Sequence, residues 1–513
     1  MSCCKTVVLS GDCFYFYDEI LYKFVLLAYI AREKYNTHMI NSNTTNTPTI
    51  IVIFGVTGDL STRKLIPSLF DLYEKGFLPT LFSIVGVARR ELSDEEFRDF
   101  AKEIIVKRGL SHSPDVIDSF LSRLSYSQGM FDEGASYKDL ALHLIAIEER
   151  FGACANKLFY LAVPPIYYEG IFEQLAHSGL TIPCSNETGW TRVLVEKPFG
   201  KDNATAQHLD ETLGKLFKEE QIFRIDHYLA KEVLQDMLMF RFSNLIFEPL
   251  WNNKYVERVE LVLSEKIGVE TRGAFYDENG ALRDVGQNHL LQMLAFVAME
   301  DPMGIDAKRI RCERAKVLSA LRPITQGNIK ESVIRGQYVG YTDTPNVPKD
   351  STTETYFRIK AYIDSERWAG VPFYLESGKA LTESKTEIKI YFKQTDSCLC
   401  PSSDNHHHQN VLTFRIQPNE GISVVFWAKK PGLGLSLEAK ELSFSYRSSP
   451  EQTKLPDAYE RVLFDGIAGD QVLFTSTEEV AAAWKFITPI LESWSTLPLL
   501  RYEQGTSGPE AQL

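Results

Sequence analysis

Phe223 to Glu232 reads F-R-I-D-H-Y-L-A-K-E, which crowds an acid, an imidazole, a phenol and an ammonium into one short block. A helix opening at Asp226 makes that residue the N-cap and sets His227 and Lys231 one turn apart on the same face. With Tyr228 they form a suitable clamp for a phosphomonoester, whose oxygens take charge-assisted hydrogen bonds. A solvated helix start is the plainer alternative on composition alone. Arg283 to Gln292, R-D-V-G-Q-N-H-L-L-Q, puts His289 inside an apolar helix. A lone histidine there is more often a satisfied core residue than a catalyst. Glu196-Lys197-Pro198 ends a buried strand, where open α/β sheets place ligands, and Gly378-Lys379 follows an apolar strand further on.

A nucleotide site is suggested earlier in the chain. The apolar run Ile50 to Phe54 ends in Gly55-Val56-Thr57-Gly58-Asp59-Leu60, and a helical stretch follows. Gly55 and Gly58 let backbone approach a pyrophosphate, while the helix N-terminus offers free N–H groups and a positive dipole. The pattern is G-x-x-G, short of the full dinucleotide fingerprint, so an ordinary strand-to-helix turn also fits. Arg89 and Arg90 follow the second apolar run, where an acidic residue would bind a ribose 2′-hydroxyl and an arginine a 2′-phosphate. That favours NADP over NAD.

Other chemistries are disfavoured. Cys398 and Cys400 with His406, His407 and His408 match no structural zinc spacing and sit in a polar loop, so no metal is expected. Cys154, Cys184 and Cys312 stand alone, and none of the eight cysteines forms a C-x-x-C pair, which reads as a reducing, cytoplasmic compartment. The net charge of −13 argues against nucleic acid as a partner, although a local basic cluster can still hold phosphate. In the first 47 residues the longest uncharged apolar run, Phe24 to Ala31, is too short to span a bilayer, and no secretory n-region or cleavage site is evident. Residues 1–47 are expected to be a poorly ordered extension ending in a Ser/Thr/Asn/Pro linker, with Met39 a second candidate start.

The elements that must position these blocks fall into two textures. From Pro48, apolar runs at Ile50 to Phe54, Leu81 to Val87, Leu158 to Val163 and Val193 to Val195 alternate with helical segments, the signature of a doubly wound α/β sheet. Beyond Asp226, period-two runs dominate: Arg258 to Leu263, Tyr356 to Ile363, Glu387 to Phe392, Val411 to Ile416 and Ile422 to Phe426. These predict a large, mostly antiparallel sheet with one wet face, in an α+β domain. The expected units are 48–226, 227–500 and a C-terminal tail at 501–513.

Taken in order, the motifs resemble the glucose-6-phosphate dehydrogenase family over about residues 48 to 500. The blocks are Gly55 to Leu60 with Arg63-Lys64-Leu65-Ile66-Pro67, Glu196-Lys197-Pro198-Phe199-Gly200, Arg224 to Glu232, Arg283 to Gln292 and Gly378-Lys379-Ala380-Leu381. Arg415 to Gly421 and Gly469 to Phe474 complete the set. The resemblance implies an N-terminal Rossmann-type domain and a C-terminal α+β domain whose sheet builds a homodimer or homotetramer. It implies oxidation of glucose 6-phosphate to the phosphogluconolactone with NADP, the first step of the oxidative pentose phosphate pathway, with no membrane partner. His289 would be the base and Asp226 its orienting acid, a pairing that suits imidazole near neutral pH. His227, Tyr228 and Lys231 would hold the 6-phosphate, Glu265 and Asp284 the sugar hydroxyls, and Lys197 and Lys379 would bridge substrate and cofactor regions. Arg89 would face the 2′-phosphate, with Tyr168 near the cofactor. Two positions depart from the pattern: Glu376 stands where many members carry arginine, which disfavours a second bound dinucleotide, and Ser384 stands where a basic residue is common. Two rival readings are another Rossmann sugar oxidoreductase sharing the E-K-P strand end and a non-catalytic nucleotide-binding scaffold. The first lacks the R-I-D-H-Y-L-A-K-E block, and the second should have lost the base or the clamp.

Overall fold

A computed structural model describes residues 47–109, 112–184, 189–394, 408–434, 436–446, 455–511 and 513. Nearly all of the expected N-terminal extension, together with Cys398, Cys400, His406 and His407, lies outside the described residues.

The run Thr49–Phe54 is buried along its whole length and forms β1. It pairs in parallel with β2 (Phe82–Ala88) and β4 (Asn156–Leu161), and β3 (Leu124–Gln128), β5 (Thr191–Val195) and β6 (Ile222–Ile225) extend the sheet, also in parallel. A continuous apolar run suits such a strand because helices cover both faces of a parallel sheet. Strand order reverses between β1 and β4, and ligands bind in the crevice that such a reversal opens at the strands' carboxyl ends. Gly55 lies at that point with φ +81°, and a Cβ on it would stand 2.4 Å from the Ala162 carbonyl oxygen. Only glycine lets the loop lie that close to the end of β4.

Among the described residues the second sheet has nine strands. β7 (Val256–Ser264) lies between β10 (Phe373–Gly378) and β11 (Lys385–Phe392). β9 (Tyr356–Ala361) and β8 (Val333–Tyr338) continue outward from β10, and β12 (Val411–Gln417), β13 (Gly421–Lys429) and β14 (Leu437–Ser445) continue from β11. Most pairs are antiparallel, and β11 and β12 alternate buried and half-buried residues as their period-two pattern requires.

The last part of the chain belongs to both sheets. β15 (Phe474–Thr475) pairs antiparallel with β6 at the edge of the seven-stranded sheet. β16 (Leu499–Tyr502) runs parallel to β8, and Leu381 bridges Thr506, so the segment expected as a tail is tied into the second sheet. Buried Arg224 in β6 donates to Asp210 (2.6 Å), Glu219 (2.9 Å) and Thr477 (2.8 Å), which fixes the strand immediately before Asp226.

Two sequence expectations are corrected. The helix after β6 spans Glu232–Phe242 with Lys231 at its N-cap, not Asp226; residues 227–230 are turns, because the Asp226 carboxylate accepts from the Tyr228 N–H at 3.0 Å. Cys154 and Cys184, expected to stand alone, are joined in a disulfide that ties together the segments leading into β4 and β5.

Candidate active site

His289 sits on a π-wound stretch, Leu282–Leu290, that continues into the helix Leu291–Ala298. π-wound geometry is rare, and where it occurs inside helices it is frequent at functional sites. The ring is buried, and its Nδ1 donates to Asp226 Oδ1 at 2.6 Å. The Lys197 ammonium donates to Nε2 at 2.8 Å. An ammonium can only donate, so Nε2 carries the lone pair and the proton is on Nδ1. This is the tautomer a general base needs.

The electrostatics hold that state. Burial pushes the His289 pKa below its ordinary value and nearby Lys197 adds to the effect, against the opposing pull of Asp226. Burial alone would raise the Asp226 carboxyl. The His289 ring, Lys197 and the Tyr228 N–H win, and keep it below the usual carboxylate range. Asp284 is largely but not fully buried, and Lys197 first, then Lys379 and Arg272, hold it ionised. Lys197 also donates to the Asp284 carbonyl at 2.8 Å and stands 3.6 Å from its carboxylate. Glu265 and Lys379 form an ion pair beside the Tyr276 ring, and Tyr228 packs its ring 4.3 Å from that of His289.

Of these groups Lys197 and Asp284 line a cleft of about 320 Å³, whose walls also include Leu60, Tyr168 and His227, with Val163 and Pro164 from the segment after β4. Residues from both sheets' regions therefore face one space. Tyr168 is buried, with its hydroxyl on the Glu196 carbonyl at 3.0 Å. Lys231 lines a second cavity of about 590 Å³ with Arg63, Lys64, Arg108 and Asp457.

At the nucleotide end, the Gly55 N–H donates to Val87 O at 2.8 Å and the helix after the loop begins at Asp59. That bond joins the glycine turn to the end of β2, where Arg89 follows and is exposed. The Gly55 cradle, which a Cβ would fill, and the adjoining cation fit a dinucleotide phosphate.

Glu196 and Tyr459 are among the residues at the site to which sequence reasoning gave no role. Glu196 stands in the same strand-end block as Lys197 but was not assigned a role; its carboxylate lies 3.2 Å from His227 Nε2. Tyr459, 232 positions from His227, reaches the same nitrogen at 2.9 Å, and no local pattern could have revealed it.

Comparison with known proteins points to one family. A family model described as "Glucose-6-phosphate dehydrogenase, NAD binding domain" matches residues 52–236, and one described as "Glucose-6-phosphate dehydrogenase, C-terminal domain" matches residues 238–513. A glucose-6-phosphate 1-dehydrogenase of Aggregatibacter actinomycetemcomitans is 45% identical over 90% of this chain and 94% of its own length. The enzyme of the same name from Bacillus subtilis is 41% identical over 90% and 95%. A solved glucose-6-phosphate dehydrogenase in complex with its substrate glucose 6-phosphate superimposes with a TM-score of 0.84 at 36% identity, covering 92% of this chain and 97% of that one.

Proposed function

The chain belongs to the glucose-6-phosphate dehydrogenase family, and from that premise we propose how its cleft carries out the reaction. The protein is an oxidoreductase that converts glucose 6-phosphate to the phosphogluconolactone with a nicotinamide cofactor. The observation that carries this reading is the bonded series Asp226–His289–Lys197, which leaves a neutral imidazole nitrogen directed away from its carboxylate.

His289 Nε2 takes the proton of the sugar C1 hydroxyl once Lys197 has released it. Asp226 then stabilises the imidazolium and keeps the ring from turning, as a buried carboxylate does for a triad histidine. A positioned base of this kind contributes about 10²- to 10⁴-fold in rate. The nicotinamide supplies the hydride acceptor when bound. Lys197, freed from Nε2, ionised Asp284 and the Glu265 carboxyl group orient the sugar hydroxyls, while Lys379 bridges toward the cofactor region. His227, Tyr228 and Lys231 hold the 6-phosphate.

The cofactor is NADP in this reading, held at Gly55, Val56, Thr57, Gly58, Asp59 and Leu60, with Tyr168 and Lys197 at the inner end. Arg89 meets the 2′-phosphate. Two or four copies assemble through the nine-stranded sheet; support comes from Leu442 and Phe444, large apolar side chains exposed on β14. Among the described residues no helix is long and apolar enough to cross a membrane. A cytoplasmic location is proposed on the sparse cysteines, and the Cys154–Cys184 bond is the observation that weighs against it.

Reduced-cofactor formation with glucose 6-phosphate, galactose 6-phosphate and free glucose tests the reading. Selective turnover of the first supports it; equal rates on all three would contradict both base and clamp placement.

A further inference from the structure

His227 is held unlike the other residues of the clamp. Its Nε2 stands between Glu196 Oε2 at 3.2 Å and the Tyr459 hydroxyl at 2.9 Å. Its Nδ1 is buried and has no hydrogen-bond partner among the described residues. The Glu196 carboxylate is fixed in turn: Oε1 accepts from the buried Tyr160 hydroxyl at 2.5 Å. Burial would raise the Glu196 carboxyl, but His227 first, then the Tyr160 hydroxyl and Lys197, keep it ionised. An ionised carboxylate only accepts, so the Nε2 proton is drawn to it.

Tyr459 comes from far along the chain. It opens the helix Ala458–Ala468, whose N-cap Asp457 accepts from the Tyr459 N–H at 2.9 Å. Asp457 also pairs with Lys64 at 3.0 Å, on the helix that follows the glycine turn, and Lys64 lies over the Tyr459 ring. The phenol stacks on His227 with ring centroids 4.4 Å apart and interplanar angle 35°. Burial keeps this phenol protonated throughout the physiological range. The ring of His227 is thus held by an acceptor, a hydroxyl and a stacking face, contributed by two segments that local sequence does not connect.

We propose that Glu196 and Tyr459 are positioning residues for phosphate recognition, holding the Nε2 side of His227 so that Nδ1 is the ring atom left to donate to the 6-phosphate. The idea rests on the phosphate role of His227 given above. Donation from both ring nitrogens at once is the property of the imidazolium form, which also brings a positive charge to the phosphate dianion. Neither residue touches the reacting C1 atom in this arrangement. Their removal should therefore weaken ground-state binding of the phosphate and leave the chemical step almost alone.

The test compares Glu196→Gln, Tyr459→Phe and His227→Ala with the unmodified full-length enzyme, using KM and kcat for glucose 6-phosphate and competitive inhibition by inorganic phosphate. Glu196→Gln should raise KM about tenfold or more, and Tyr459→Phe about threefold, with kcat changed less than about threefold. Inorganic phosphate should weaken as an inhibitor in parallel. In a His227→Ala background, adding Glu196→Gln should cause no further loss, because the two act through one contact. An additive loss, or an equal fall in kcat/KM for free glucose, would mean that Glu196 is merely structural and would overturn the proposal. If His227→Ala raises KM while both other variants leave it unchanged, positioning alone fails. If His227→Ala itself leaves KM and phosphate inhibition unchanged, the clamp reading fails and the proposal with it.

Discussion

Lys197 and His289 share a 2.8 Å hydrogen bond in which the ammonium occupies the Nε2 lone pair, the one that accepts the substrate proton in the proposed mechanism. Lys197 therefore both masks the base and keeps it neutral. The pH dependence follows with a definite sign. The base works unprotonated and its pKa is lowered by burial and by Lys197, so kcat/KM should hold its plateau down to below about pH 6.5 and fall only on further acidification. In Lys197→Met the acid limb should move to higher pH as one cause of the lowering is removed. A limb that stays in place or moves lower would show that Lys197 does not act on the base.

Asp226→Asn keeps the size of the side chain but offers an amide to Nδ1 and no charge to a developing imidazolium. We expect kcat to fall about 10²- to 10⁴-fold with KM for glucose 6-phosphate within a few-fold of the parent. Steady-state kinetics across substrate concentration check this. A loss confined to KM would make Asp226 a residue of the binding surface.

Much of the site was legible in sequence, and the misses have physical causes. Thr49–Phe54 could be read as a central strand because burial on both faces demands an unbroken apolar run. Five strands of the second sheet, β7, β9, β11, β12 and β13, could be read from their period-two runs, whereas β8, buried along its length, carries no such pattern. Asp226 misled because its carboxylate turned to the Tyr228 N–H and to His289 instead of capping a helix, a choice made by a ring 63 positions away. β15 is only two residues long and has no period to read. The pairing of Tyr459 with His227 and the meeting of Cys154 with Cys184 depend on how distant elements pack, which no local spacing encodes.

Arg89→Ala should separate the two cofactors. A charge-assisted contact to a 2′-phosphate contributes roughly 1.5–3 kcal/mol, about one to two orders of magnitude in affinity. KM for NADP should rise about ten- to hundredfold while that for NAD changes little. An equal change for both would assign Arg89 to the fold and remove the main structural support for NADP.

The Cys154–Cys184 disulfide closes a loop with sequence separation 30. A cross-link of that span stabilises the native state by roughly 3–4 kcal/mol in the chain-entropy description. Reduction should lower the unfolding temperature measured by calorimetry, and Cys184→Ser should remove the difference between reduced and oxidised samples. Alkylation of both thiols without prior reduction, followed by mass spectrometry, would show instead that the bond is absent in solution.

The most direct measurement is single-turnover formation of reduced cofactor from glucose 6-phosphate by the parent enzyme and His289→Asn, with substrate binding measured separately in each. The account predicts that binding stays within a few-fold while the rate of the chemical step falls at least about 10²-fold, because the imidazole acts on the transition state. A variant that turns over at the parental rate, or one that loses binding while its chemical step is preserved, would contradict the assignment of His289 as the base.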